Sequence, residues 1–489
     1  MNFYSAAQSR ALDQLAIDQG TAGLLLMKRA AFFAFECLEK QWPKARKIGI
    51  VTGAGNNGGD GFALAQILVL AGFEVDILMT AAPETLKGDA LTCYQEVLAL
   101  GYQPQAFAAA NLANADLLVD AILGTGLNKV VTGFYADIIE QMNASQIPIL
   151  ALDVPSGLQA DSGAVLGIAI QAQLTCCFIS RKLGLYSFQG PEQAGKIQFS
   201  RLFLADELYE SFKPIAQNHP LKHWLNTLPK FKPSSHKGSR GTCCLIGGNH
   251  TMMGAIQLAG LACLKSGAGL VKIVTQTEHC LPITQALPEL MAYESSHLKS
   301  ILLSSRALAI GPGLGQDAWA MDCLQRILPL PHPKVIDADA LNLLANQQVD
   351  ISLAKRNWIL TPHPAEAARL LAITTEQVQQ DRVAAIIKLH SIYGGVVVLK
   401  GNGTLIFDGE HLEICTAGNA GMAMGGMGDV LSGALVSLLG QGMPLFEAAC
   451  LGVALHAQAG DVLANQMGQA GVTPSDLANT LSQLLSYAG

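Results

Sequence analysis

Residues 419–433 read N-A-G-M-A-M-G-G-M-G-D-V-L-S-G and concentrate the residue types that handle phosphate. Glycine tolerates the dihedrals by which successive backbone N–H groups turn toward one point, and such a point attracts an anion. The apolar pattern Val430, Leu431, Ala434, Leu435, Leu438 and Leu439 predicts a helix from about Asp429. Its unpaired amides and dipole add to the attraction, so a phosphate is expected there without a basic side chain. A carboxylate facing phosphate is repelled by it. Asp429 therefore makes chemical sense as the base that takes a proton from an attacking hydroxyl during phosphoryl transfer. The competing role is a plain helix cap, with the glycines allowing close packing.

A second set of motifs lies in the first half. Residues 53–61 read G-A-G-N-N-G-G-D-G, between an apolar run over Lys47–Thr52 and a predicted helix over 62–71 closed by Gly72. D-A-I-L-G-T-G-L-N-K-V (120–130) and D-V-P-S-G (153–157) follow predicted strands at 117–119 and Ile149–Leu152. Open α/β sheets bind ligands at such strand ends. The glycine loops offer amides to an anion, while Asn57, Asp120 and Ser156 offer hard oxygens to an alkali or alkaline-earth cation. Gly53, Gly55 and Gly58 fit a dinucleotide spacing, but the acid expected about twenty residues further on is not evident. Loops that only close βα turns are the alternative.

These motifs need a scaffold. Ser5 with Gln8 forms a capping-box signature, and Thr21 is placed to cap a second helix running toward Glu39, stopped by Pro43. Strand, glycine turn, helix and the next strand at Glu74–Met79 make a βαβ unit, so a parallel sheet covered by helices is predicted. Pro214, Pro220, Pro229 and Pro233, interspersed with lysines, predict a linker over 214–235, dividing a first domain (1–213) from a second (236–489). The second α/β series carries polar residues after its strands: G-G-N-H-T-M-M-G-A (247–255), G-P-G-L-G (311–315), D-A-D-A-L (337–341), T-P-H-P-A-E (361–366) and K-G-N-G-T (400–404). Asp337 and Asp339 would also suit a helix cap, and Lys400 with Gly401 and Gly403 a hairpin turn. His363 is a ligand contact or an idle turn residue. Met422, Met424 and Met427 are expected to fill gaps or face a base.

Composition narrows the ligand. With 489 residues, 14% charged, 50% hydrophobic and a net charge of -7, the chain has no cationic footprint for nucleic acid or an anionic membrane. No run is solidly apolar enough for a membrane span, and the start lacks the pattern of a signal peptide. The eleven cysteines show no C-x-x-C spacing, which predicts a reducing, cytoplasmic compartment. Wide parallel sheets and a homo-oligomer would both explain the low charge, and a homo-oligomer is expected.

The glycine loop with Asp429, the K-G-N-G-T turn and T-P-H-P-x-E together resemble the ADP-dependent NAD(P)H-hydrate dehydratase branch of the ribokinase-like superfamily. N-N-G-G-D-G, D-A-I-L-G-T-G and D-V-P-S-G resemble the NAD(P)H-hydrate epimerase domain. Both resemblances lie on one chain in the order of the bifunctional NAD(P)H-hydrate repair enzymes, and they cover nearly all of it. The resemblance implies a Rossmann-like three-layer αβα domain followed by a ribokinase-like α/β domain. It implies hydrate binding in the first domain by Asn56, Asn57, Gly58, Gly59 and Asp60, by Gly124, Thr125, Gly126, Leu127, Asn128, Lys129 and Val130, and by Asp153, with potassium at Asn57, Asp120 and Ser156. In the second domain it implies hydrate contacts at Ala255, Gly315, His363 and Asp429. Adenine nucleotide contacts are implied at Lys400, Gly401, Asn402, Gly403, Thr404 and Gly428. NADH and NADPH hydrates and ADP are the expected substrates, magnesium is expected to bridge the nucleotide phosphates, and Asp429 and Asp153 are the expected proton carriers. Met427 stands where kinase relatives carry a small residue, which favours the dehydratase branch over a vitamin-type kinase.

Overall fold

Apolar runs that end in glycine or asparagine become strands here, and the polar residues after them become the ligand-facing edge. The structure is a computed structural model that describes residues 1–346, 354 and 356–486. The chain divides into two units, Asn2–Ala216 and Gln217–Gly489 with Met1.

The first unit is built on seven parallel strands: β1 (Lys47–Thr52), β2 (Glu74–Met79), β3 (Gln105–Ala106), β4 (Leu117–Ala121), β5 (Ile149–Leu152), β6 (Leu174–Phe178) and β7 (Lys196–Ser200). Their order is β3-β2-β1-β4-β5-β6-β7, with register set by pairs such as Ile50 with Val119 and Leu150 with Leu174. Every residue of β4, β5 and β6 is buried, as expected for strands covered on both faces. Leu117 and Val119 pack into one apolar cluster with Phe62 and Leu64, while Leu118 faces the opposite cluster with Ile138 and Met142. That alternation is the period-two signature of a strand.

Several boundaries differ from the sequence expectation. The helix over 62–71 begins six residues earlier, at Asn56, so the N-N-G-G-D-G motif is the opening of helix Asn56–Leu70 rather than loop. Glycines are poor helix formers, but tertiary packing overrides them here. A Cβ on Gly58 would sit 2.0 Å from the Gly53 carbonyl oxygen, and one on Gly59 2.6 Å from Met27 Cε. Ser5 and Gln8 do form the capping box of helix Ala6–Asp18. Thr21 does not cap the second helix, Gly23–Gln41, whose N-cap is Ala22 with no side-chain bond. β4 runs on to Ala121, so Asp120 lies on the strand and not after it.

Among the described residues, nine strands lie wholly within the second unit: β8 (Thr242–Ile246), β9 (Leu270–Thr275), β10 (Leu290–Glu294), β11 (Ala307–Ile310), β12 (Lys334–Ile336), β13 (Trp358–Leu360), β14 (Val396–Leu399), β15 (Thr404–Phe407) and β16 (Leu412–Cys415). Their order is β10-β9-β8-β11-β12-β13-β14-β15-β16, parallel up to β14, with β15 antiparallel to both neighbours. Helix Met427–Gly440 lies at the heart of the core, with its last eleven residues buried against helix Met253–Lys265. The approach is close because Gly433 has no side chain: a Cβ there would fall 2.0 Å from the Ala259 carbonyl oxygen. Inside the span read as linker, helix Leu221–Leu225 buries Trp224 and Leu225 in this core.

Candidate functional sites

In the first unit, a cavity of 620 Å³ opens at the carboxyl ends of β1, β4, β5 and β6. Of the residues singled out in the sequence, Asn56, Asn57, Asp60, Gly124, Thr125, Gly126, Leu127, Asn128, Lys129 and Asp153 line it. Gly58 and Gly59 lie behind them as packing residues, and Val130, 64% exposed, faces away. Asp120 and Ser156 do not line the cavity; fully buried, they lie behind its wall, accepting the amides of the lining residues Ile122 and Leu123. There Asp120 Oδ1 accepts the Ser156 hydroxyl at 2.6 Å and Oδ2 accepts the Ser156 amide at 2.7 Å. Burial pushes the Asp120 carboxyl up to about 6 against the pull of those bonds. Asn57 donates Nδ2–H to the Leu123 carbonyl at 3.1 Å, leaving its buried Oδ1 without a partner. A buried carbonyl oxygen is rarely left so, and beside the Ser156 hydroxyl and the Asp120 carboxylate it suits a hard monovalent cation. Among the described residues no cluster of three His, Cys, Asp or Glu is placed for a metal, so such an ion would be held mainly by neutral oxygens.

The walls carry charge that the sequence reading did not connect. Asp153 adopts a left-handed backbone, φ 62°, at the end of β5. Lys182, with its side chain 1% exposed, reaches Asp153 at 2.5 Å. Asp13 and Asp60 line the same cavity. Burial first, and then the Asp153 carboxylate, push both of their carboxyls up, Asp60 well above the ordinary range. Lys182 carried only a weak signal, a lysine closely following the apolar strand 174–178, and Asp13 had none beyond its place in a helix.

In the second unit, the glycine turn delivers the chain into helix Met427–Gly440 through Gly426, φ 96°, which is the N-cap. Asp429 is the third residue of the helix, so it is not the cap. Beside that first turn, Lys400 Nζ bonds Asp337 Oδ1 at 3.0 Å and lies 3.9 Å from Glu366 Oε2. The Ser432 hydroxyl donates to Asp337 Oδ2 at 2.7 Å. Asp337 makes no side-chain bond to the helix it precedes; its carboxylate serves Lys400 and Ser432 instead. A Cβ on Gly428 would lie 3.3 Å from Lys400 Nζ, so the amine stands directly over the first turn. Burial, then Asp337, push the Asp429 carboxyl up to about 7. Burial raises Asp337 too, but Lys400 and Ser432 bring it below the ordinary value.

The remaining predicted residues of the second unit lie on separate segments. His363 is the N-cap of helix Pro364–Leu371, its Nδ1 accepting from the amides of Ala365 and Glu366. Its other ring nitrogen, Nε2, lies 3.3 Å from Glu366 Oε1. Gly315 donates its amide to Asp339 Oδ2 at 2.9 Å, and Ala255 lies where a Cβ on Gly313 would meet it at 3.1 Å. Gly401, φ 135°, Asn402 and Gly403 form the turn from β14 to β15, and Thr404 opens β15. That turn is held by Arg382, 1% exposed, which donates to the carbonyls of Leu399, Lys400 and Gly403. Burial brings the Arg382 guanidinium down to about 10, still charged at neutral pH. Arg382 was missed in the sequence because nothing in a helix-opening arginine tells that it turns inward. Met427 is buried, Met422 packs on Gly460, and Met424 is exposed.

A glycine-fed helix N-terminus, a lysine anchored by a buried carboxylate and a second carboxylate of raised pKa define a ribokinase-like α/β enzyme unit, here following a Rossmann-like one. Similarity searching agrees with that class. Residues 243–483 match the family described as NAD(P)H-hydrate dehydratase, and residues 23–184 match the YjeF-related protein N-terminus. The bifunctional NAD(P)H-hydrate repair enzyme Nnr of Coxiella burnetii is 40% identical over 99% of both chains. A ribokinase-like superfamily protein from Enterococcus faecalis matches 57% of this chain and 98% of its own at 29% identity and TM-score 0.53. An ADP/ATP-dependent NAD(P)H-hydrate dehydratase from Bacillus subtilis, crystallised with ATP and Mg2+, matches 56% of this chain and 100% of its own, at 29% identity and TM-score 0.50. The chain belongs to the family of bifunctional NAD(P)H-hydrate repair enzymes.

Proposed function

We propose that this protein repairs hydrated NAD(P)H. Its first unit interconverts the R and S hydrates, and its second dehydrates the S form at the expense of ADP, giving AMP and phosphate. The observation that carries the second activity is Asp429, a carboxyl of raised pKa in the first turn of a glycine-fed helix beside Lys400. As the hydroxyl at ring carbon six attacks the terminal phosphorus of ADP, Asp429 takes its proton, the new O–P bond forms and the bond to AMP breaks. The amides of the turn and Lys400 hold the charge on the moving phosphoryl group. Phosphate, a far better leaving group than hydroxide, then departs from carbon six. Loss of a proton from the neighbouring carbon restores the ring double bond. Magnesium arriving with the nucleotide would supply charge neutralisation there, and any contact it made to the protein would fall to Asp337 or Glu366 beside Lys400, since the described residues hold no preformed cluster of three carboxylates. Ala255, Gly315 and His363 are assigned to the hydrate, and Lys400, Gly401, Asn402, Gly403, Thr404 and Gly428 to the nucleotide.

In the first unit the ionised Asp153 takes the proton of the hydroxyl on carbon six, the carbon–oxygen double bond forms as the bond from carbon six to the ring nitrogen breaks, and the nitrogen then adds back to the other face as the oxygen recovers the proton. Asp153 carries the proton in both directions. Asn56, Asn57, Gly58, Gly59, Asp60 and residues 124–130 are assigned to the hydrate. Potassium is assigned to Asn57, Asp120 and Ser156, a reading supported by the unpartnered Asn57 oxygen; bound there it would fix the three strand ends against one another. The cytoplasm is the assigned compartment, supported by eleven free cysteines. A homo-oligomer is supported by exposed large apolar side chains such as Phe203 and Leu303, 85% and 80% exposed.

The test is a mixture of both NADH-hydrate epimers with protein, ADP, magnesium and potassium, followed by the near-ultraviolet absorbance of reduced nicotinamide. Conversion of the whole mixture faster than spontaneous epimerisation is expected. Rapid recovery of one epimer's share alone would refute the epimerase half, and no recovery would refute both.

A further inference from the structure

Lys182 is among the largest fully buried side chains of the protein, and a lone ammonium is costly to bury. Its three N–H groups are all engaged. Nζ donates to Asp153 Oδ1 at 2.5 Å and to the Phe178 carbonyl at 2.7 Å, and lies 3.8 Å from Cys177 Sγ. A lysine has three donors, so none is left to reach a substrate in the cavity. The Phe178 amide donates to the same oxygen of Asp153, Oδ1, at 3.3 Å. Both hydrogen bonds of the Asp153 carboxylate therefore end on one oxygen. Oδ2 has no hydrogen bond among the described residues, and Asp153 lines the cavity. The backbone at Asp153 is in the left-handed region, which a non-glycine residue occupies only where its surroundings hold it.

We propose that Lys182 is a positioning residue for epimerisation: it clamps Asp153 by Oδ1, so that Oδ2 is the atom that exchanges the proton with the hydrate. The proposal rests on the assignment of Asp153 as proton carrier. Lys182 also sets the charge. Asp13 from helix Ala6–Asp18 and Asp60 from helix Asn56–Leu70 face Asp153, and Cys177 faces Lys182 from β6. Burial alone would push the Lys182 ammonium down, but Asp153 and Cys177 hold it above the ordinary lysine value, so it stays a cation throughout the working range. That cation draws the Asp13 and Asp60 carboxyls down, against burial and the Asp153 carboxylate, which raise them. Without it the acids of this wall repel one another unrelieved, and the Asp13 and Asp60 carboxyls bind protons at higher pH.

The test compares Lys182→Gln, Lys182→Arg and Asp153→Asn in the full chain. Epimer interconversion is followed by chromatographic separation of the R and S hydrates without ADP, across pH 5 to 9. Dehydration of the S hydrate is measured on the same preparations as a control for folding. Lys182→Gln is expected to lower kcat by about 100-fold with KM within about threefold, and to move the acid limb of the profile to higher pH. Lys182→Arg keeps the charge and is expected to keep the limb where it was while recovering at least a tenth of the rate. Asp153→Asn is expected to be inactive. A normal rate and limb for Lys182→Gln would overturn the clamp while leaving Asp153 in its role. Equal loss in both lysine variants with no displaced limb would overturn it too, because that is what mere support of the fold predicts. If Lys182→Gln yields no folded protein, a displaced limb in Lys182→Arg overturns the proposal and an undisplaced one upholds it. Normal epimerisation by Asp153→Asn would instead overturn the assignment on which the clamp is built.

Discussion

Asp429 makes the sharpest prediction, since the same burial that suits it to catalysis costs the fold stability. A base works only when ionised. With its carboxyl at about 7, Asp429 is half ionised at neutral pH. Each unit of pH below that value should lower dehydration about tenfold, so kcat/KM at pH 5 is expected to be about a hundredth of its plateau. Asp429→Asn removes the base altogether and should cost about 100- to 10,000-fold at pH 8. Stability should move the other way. The folded-state value lies above the ordinary 3.8, so the folded protein binds the proton more tightly than the unfolded chain. The penalty for ionising it is therefore absent below about pH 4 and grows as pH rises through 7. Replacing the carboxylate with a neutral amide should then stabilise the second unit at pH 8 by on the order of 2 kcal/mol, after discounting for its partial exposure. The assays are recovery of reduced-nicotinamide absorbance from pure S hydrate with ADP and magnesium, and urea unfolding of the two proteins at pH 5 and pH 8. A flat rate profile between pH 5 and 8, or an Asp429→Asn variant retaining more than a tenth of the activity, refutes the base. Equal stability of the two proteins at pH 8 refutes the burial argument.

Two further outcomes follow from the first unit. Asn57→Leu removes the unpartnered buried oxygen, and should abolish the dependence of epimerisation on potassium while leaving dehydration unchanged; retention of a wild-type response in a potassium titration would show that the ion is held elsewhere. Gly157→Ala places a Cβ 1.9 Å from the Ile168 carbonyl oxygen on a backbone with φ 94°, and should destabilise the first unit by about 2 kcal/mol or more, read as a lowered unfolding midpoint.

Much of this molecule was legible in its residues because each motif follows an apolar run and each run became a strand. The parallel sheets follow from β-rich runs alternating with helix-period segments, and the ligand edges from the glycine and asparagine clusters after them. The opening of helix Asn56–Leu70 was hidden for a physical reason. A run holding three glycines reads as loop by propensity, and only the lack of room around Gly58 and Gly59 shows why helix wins. Thr21 had the right chemistry for a cap, but the helix begins one residue too late for it to serve. Lys182, Arg382 and Asp337 belong to a third category. Each is a charged residue of ordinary appearance whose partner lies far along the chain or across a turn. No local pattern distinguishes a lysine that turns inward from one that is solvated, so their roles emerge only when the strand ends are brought together.

The position of β8 in its sheet also sets a timetable. Of the nine strands β8–β16 it is the first to leave the ribosome, yet one of its two edges pairs with β11, joining Cys243 to Ala307. At about 5–20 residues per second, that edge stays open for about 3–13 s of synthesis. Throughout that interval the nascent chain presents a largely apolar ribbon with two adjacent thiols, Cys243 and Cys244, and an unpaired row of backbone groups. The buried centre of the finished dehydratase half is thus the most vulnerable surface of the chain while it is being made, and the cell must shelter it for seconds before the sheet can.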